Sequence, residues 1–177
     1  MAQQRRSFIV GSLACGTTAL LGCGPQLRDL QLASLPAALQ EMQRLARAPA
    51  LRSTTAWGWA KTLEHLAQSI EYSMTGYPTQ NSALFQASIG KTAFHAFSWR
   101  GQMRHDLTQP IPGSPAIAEH PPLDQATLRL LMACQQFMAW KDRLHPHFAY
   151  GALTHAEYEQ AHTLHLANHF AAFQAAI

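Results

Sequence analysis

Charge is what this chain has least of. Asp, Glu, Lys and Arg make up 13% of its 177 residues, about half of the ~25% usual in soluble domains. Long runs of like charge are missing, which excludes a disordered acidic or basic tail. The formal excess of +3 is partly carried by Arg5 and Arg6, in a stretch, residues 1–22, without Asp or Glu; beyond it stand eleven basic against ten acidic residues. That balance excludes nucleic acid as a partner, because phosphate binding needs clustered Lys and Arg. Cysteine is scarce too. Of three, Cys15 and Cys23 lie near the N-terminus and only Cys134 lies in the body. No internal disulfide is then available to the mature chain, and the fold must hold by burial. There is no strand-like alternation, no Gly-rich phosphate loop, no CxxC, no GxSxG and no internal repeat, so the common nucleotide, dithiol and serine-hydrolase signatures are out.

What the N-terminus does contain is an export pattern. Arg5-Arg6 followed by Phe8 and Ile9 resembles a twin-arginine signal, although Gln4 and Val10 depart from it; a general secretory signal with two arginines is the alternative. The apolar stretch from Phe8 to Leu21 is too short and too rich in Gly, Ser and Thr to span a bilayer, which takes ~20 apolar residues. Leu20-Leu21-Gly22-Cys23 looks like a lipobox, in which the Cys23 thiol takes a diacylglycerol and becomes the first residue after cleavage. Several acyl chains, at ~0.8 kcal/mol per buried CH₂, make a stable anchor. The expected organisation is a signal peptide over 1–22, a lipidated Cys23 with a tether over 23–33, and one domain over 34–177. The protein is expected to be exported and held to a membrane through Cys23.

The domain reads as all-α. Ser34 caps a helix with Pro36 in its first turn and Leu35, Leu39, Met42 and Leu45 at helical spacing up to Arg47. A second helix is expected from Thr54 to Thr75, with an apolar stripe through Trp59, Leu63, Leu66 and Ile70. Beside it runs a small, polar stripe, Gly58, Thr62, His65, Ser69, Tyr72 and Gly76, suited to the edge of a cleft. A third helix is expected from Asn81 or Ser82 to Trp99. Residues 101–121 carry four prolines and read as a long loop over one end of the bundle, of the kind that is often functional. A fourth helix is expected from Pro122 or Leu123 to Leu144, with Leu128, Leu131, Met132, Gln135 and Met138 inward. Thr154-His155-Ala156-Glu157 is a capping box, opening a last helix that runs to Ala175. The tryptophans Trp57, Trp59, Trp99 and Trp140 are assigned to the core, and Cys134 is expected as a buried, inert thiol.

Histidine is the compositional excess, with ten between His65 and His169. His165 and His169 are four apart on the last helix, so their imidazoles leave the same face one turn apart and could share one metal at ~2.0–2.1 Å each. His65, on the small-polar stripe, is the natural third ligand. His162 and Tyr158 share the face of the pair. His105, His120 and His155 are expected at the surface or in loops, and His145 and His147, flanking Pro146, in turn or capping roles.

One histidine on a mid-chain helix, an insertion, and HxxxH on a final helix together resemble the DinB-like (YfiT-type) metal-binding four-helix bundles, and more closely an uncharacterised exported branch of them. The carrying residues are Leu63 to Ser73 around His65, then Gly76-Tyr77-Pro78, His145-Pro146-His147-Phe148 with Gly151, Leu153, Thr154 and Glu157-Tyr158, and last His165 to Phe170 with Phe173. Asn168 departs from the branch, where another histidine stands. The resemblance spans residues 35–175. It implies a four-helix bundle with one accessory helix and a site of His65, His165 and His169 for a divalent metal, zinc or nickel, with water completing the shell. Tyr72, Glu71, His162 and Tyr158 are then candidates to orient the ligands. Some members of the superfamily are thiol transferases or hydrolases, so the implied function is a metal-dependent enzyme on a small substrate. The alternative is a non-catalytic metal- or ligand-binding, or interaction, lipoprotein of the cell envelope.

Overall fold

The computed structural model describes residues 26–175. Arg5, Arg6 and Cys23, and with them the signal and the lipidation site, lie outside the described residues. The chain is an all-α helical bundle. α1 spans Leu35–Ala46 and α2 Trp59–Thr75. α3 is continuous through Ala83–Phe85, a π-helical turn at Gln86–Gly90, and Lys91–Arg100. α4 spans Leu123–Ala139 and α5 His155–Phe170.

Local chemistry fixes the helix starts. Ser34 Oγ accepts from Ala37 N at 3.3 Å, and Pro36 gives up an N–H that the first turn leaves unpaired. At α5 the capping box is complete: Thr154 Oγ1 accepts from Glu157 N at 3.2 Å, and Glu157 Oε2 accepts from Thr154 N at 2.7 Å. α2 starts later than expected, at Trp59 behind Gly58.

α5 is the hub, packed by α1, α2 and α3, while α2 lies along α4. Leu35, Met42, Leu45, Leu63, Leu66, Ile70, Leu130, Phe137, Tyr158 and Phe170 share one core among them. Each large side chain buried there contributes roughly 1.5–3 kcal/mol. α4 is rotated from the expected face. Ala126, Leu130, Ala133, Cys134 and Phe137 point inward, and Leu128 and Met132 are exposed. Beside that face Arg129 reaches across to Glu71 of α2 at 2.9 and 2.6 Å and to Glu64, while small Ala126 and Ala133 let the two helices approach. Trp99 is also not a core residue, with 87% of its surface exposed.

The last helix stops at Phe170 rather than Ala175. Its tail turns into strand β2, Phe173–Ala175, which pairs antiparallel with β1, Leu51–Ser53. Phe173 is thereby brought to 4.8 Å from the Trp59 ring, which five more helical residues would have carried past the core. Residues 26–33, expected as tether, are laid along the bundle: Leu27, Leu30 and Leu32 pack on the core, and the Arg28 guanidinium donates to Glu41 and to the Phe170 carbonyl. Among the described residues no helix is long and apolar enough to cross a membrane.

The candidate metal centre and its cavity

α2 and α5 bring His65, His165 and His169 together, with their facing nitrogens all within 4.8 Å of one another. His65 Nε2 and His165 Nε2 stand 3.3 Å apart. Two ligands at ~2.1 Å from one tetrahedral ion would stand ~3.4 Å apart, so this pair already has the required separation. His65 and His169 are buried and His165 is partly open. Burial holds all three imidazoles below their ordinary pKa, His65 down to about 4, and mutual repulsion with neighbouring histidines adds to it. They are therefore neutral lone-pair donors at pH 7, the form a metal needs.

The donor set fits a cation on a further ground. His169 Nε2 is buried with no hydrogen-bond partner among the described residues, and an unpaired buried nitrogen costs about 1–3 kcal/mol. A cation bound through that nitrogen would supply the missing partner. Asn168, buried beside His169, keeps an unpartnered Nδ2 and is not part of the cluster.

A fourth imidazole stands by. His105, expected as a plain loop residue, sits on the 101–122 segment with its ring 5.1 Å from those of both His165 and His169. Nothing in the local pattern around His105 pointed there, because only the path of the loop decides it. That path is pinned by Met103, Leu107 and Ile111, all buried. The loop walls a cavity of about 180 Å³ over the histidine cluster. Met103, Pro110 and Ile111 of the loop face it together with Ser69 of the small-polar stripe. Among the described residues no Asp, Glu, Lys or Arg lines it.

Of the four residues expected behind the ligands, none hydrogen-bonds to them. Glu71 pairs with Arg129, and the Tyr72 ring packs 5.7 Å from that of Tyr77. Tyr158 is buried, donates to the His145 carbonyl at 2.7 Å, and stacks on His162. His162 lines the cavity beside His147. His147 does hold a turn, as its place next to Pro146 suggested, and it also faces the cavity, which its sequence position did not show. The turn is closed by paired backbone bonds between His147 and Gly151 at 2.8 and 3.0 Å. Gln86, from the π-helical turn of α3, donates to the Phe148 carbonyl at 3.1 Å. Gly90 of that turn lets the backbone come close: a Cβ there would stand 1.9 Å from the Ala149 carbonyl oxygen.

A family model described as "Protein of unknown function (DUF1569)" matches residues 24–176. No curated protein and no solved structure matches the chain.

Proposed function

The chain belongs to the DUF1569 family, and from that premise we propose that it is an exported, membrane-anchored lipoprotein whose His65, His165 and His169 hold a divalent metal for transferase or hydrolase chemistry on a small molecule. One observation carries the metal reading: three buried or half-buried imidazoles converge, His65 and His165 at the wall of a cavity, and His169 Nε2 has no partner among the described residues. Zinc or nickel suits three neutral imidazole ligands. Bound there, such an ion supplies Lewis acidity or a lowered pKa to a bound water or thiol. The chain itself supplies a largely apolar enclosure that limits water, with His105 on the loop that covers the cluster. The finer placement in an exported DinB-like branch rests on the resemblance around His65, His145 to Tyr158, and His165 to Phe170.

Export and anchoring rest on Arg5-Arg6 and on the lipobox ending at Cys23. The family match begins at residue 24, one residue beyond the proposed lipidated cysteine, which supports a mature chain starting there. The membrane is then reached through the acyl chains on Cys23. A second reading, a binding lipoprotein without catalysis, is favoured by the lack of any carboxylate among the described residues of the cavity lining.

The test is metal content. Full-length protein purified beside a His65→Ala/His169→Ala double variant is measured by elemental analysis after exposure to zinc or nickel, with far-ultraviolet circular dichroism to verify the fold. The expected result is one metal per chain, lost in the variant with helicity kept. Absence of metal in both, or equal metal in both, refutes the site.

A further inference from the structure

Beside His65 and His165 the cavity is lined by His105, His147 and His162; the last two are buried, with proton positions fixed by their partners. His147 Nδ1 accepts from the backbone N–H groups of Ala149 and Tyr150 at 3.1 and 3.2 Å. A backbone N–H only donates, so Nδ1 carries no proton, and the neutral ring has its N–H at Nε2. His162 Nε2 lies 3.2 Å from Ser73 Oγ. Ser73 spends its single hydroxyl proton on the Ile70 carbonyl at 2.6 Å. Its oxygen can then only accept, so His162 Nε2 is the donor and Nδ1 bears the lone pair.

His147 and His162 are 8% and 2% exposed. Neither His147 Nε2 nor His162 Nδ1 has a partner among the described residues, and neither is among the polar atoms sealed off from solvent. What access they keep is to the cavity both rings line. The two rings present one fixed donor and one fixed acceptor beside the apolar Met103, Pro110, Ile111, Pro112, Phe148 and Ala161, with Ser69, Gln109 and Tyr150 as further uncharged polar groups of the lining. Burial keeps both rings uncharged, well below the ordinary histidine range.

We infer that this pair is a recognition site for a small uncharged molecule, about one ring in size, bearing a group that both accepts and donates, such as a carboxamide or a hydroxyl. His147 Nε2–H donates to that group and His162 Nδ1 accepts from it. Size follows from the volume of about 180 Å³, since an apolar void of ~150 Å³ takes one benzene ring. With no metal bound, the lining disfavours charge, since no Asp, Glu, Lys or Arg is among the described residues that form it. A carboxylate would set an oxygen against the His162 lone pair with no cation to offset it, and an ammonium would meet the His147 N–H with no anion. As a statement about the substrate this rests on the proposed metal chemistry; as a statement about binding it does not.

The test uses three single-ring probes of similar shape: benzamide, benzoate and benzylamine. They are titrated calorimetrically into the full-length protein, first with metal chelated, so that benzoate gains nothing from an ion, and then with zinc added. His147→Asn keeps an acceptor for the turn's N–H groups and removes the cavity donor. His162→Gln keeps an N–H for Ser73 and removes the cavity acceptor. Benzamide is expected to bind the chelated protein at least about tenfold tighter than either charged probe. Each variant is expected to lose about tenfold in benzamide affinity, the worth of one hydrogen bond, with helicity and metal content unchanged. No benzamide binding, equal or tighter binding of a charged probe to the chelated protein, or wild-type affinity in both variants overturns the inference. Metal content is read separately: a chain that selects benzamide but never holds metal defeats the metal reading alone, and one that holds metal but does not select benzamide defeats this one alone.

Discussion

Acid should unfold this protein through histidines that the fold keeps neutral, and His147 and His162 give the clearest measure of it. Burial, with a smaller contribution from neighbouring histidines, pushes both down to about 3, against ~6.5 in an unfolded chain. The folded pKa lies below the unfolded one. Between the two, the unfolded chain holds the extra proton, so stability is whole above pH 6.5 and drains as pH falls toward 3. Between pH 7 and 5.5 each ring costs about 1.2 kcal/mol and the two together about 2.5 kcal/mol, a large part of the ~5–15 kcal/mol a domain possesses. The assay is urea unfolding followed by circular dichroism at both pH values, with chelator throughout so that metal release adds nothing. The control is the His147→Asn/His162→Gln double variant, whose own loss over the same interval should be smaller than the wild type's by about 2.5 kcal/mol. If both proteins lose the same amount, the two rings are not held neutral by the fold.

Two structural substitutions test how the cavity is framed. Gly90→Ala places a Cβ against the Ala149 carbonyl, a backbone atom that cannot swing aside, and should cost about 3 kcal/mol; an unchanged melting temperature would mean that α3 does not press on the His147 turn. Arg129→Met leaves Glu64 and Glu71 facing each other without their shared cation. Because that cluster is partly solvated, the expected cost is only about 1 kcal/mol, falling in about 1 M salt, and a loss unaffected by salt would point to packing instead of charge.

Features legible in the sequence were those with local causes. Ser34 with Pro36, and Thr154 with Glu157, mark helix starts because the atoms that satisfy the first turn lie within three residues of it. His165 and His169 could be paired because one helix carries both, and His65 could be added because a stripe of small polar residues marks the cavity side of α2. Other features depend on distant partners. α4 is apolar round much of its circumference, so its periodicity allows an inward face at Leu128 and Met132; packing against its neighbours buries Leu130 and Phe137 instead, with the ion pairs of Arg129 to α2 beside them. The end of α5 was misplaced because Phe173–Ala175 is extended only by virtue of pairing with Leu51–Ser53, over a hundred residues earlier. His105 carries no local mark at all, since a loop residue gains a neighbour only when the loop is laid down.

Burial alone does not distinguish the histidines of this protein, since it lowers the pKa at His65 and at His147 alike. Their partners do distinguish them. At His147 and His162 each ring has one nitrogen fixed by a protein group, two backbone N–H groups in one case and a serine oxygen in the other, and one nitrogen left for the cavity. At His65, His165 and His169 no comparable anchor sets the protons. Two rings meet nitrogen to nitrogen at 3.3 Å, where one can donate to the other, while His65 Nδ1 and His169 Nε2 have no partner among the described residues. Protons can satisfy that first contact but leave the third ring unpaired. A divalent cation satisfies all three lone pairs at once, whereas at His147 the Nδ1 lone pair is already taken. Hydrogen bonding thus divides these imidazoles into three suited to hold an ion, of which His65 and His165 line the cavity, and two in the same lining suited to read an uncharged molecule beside it.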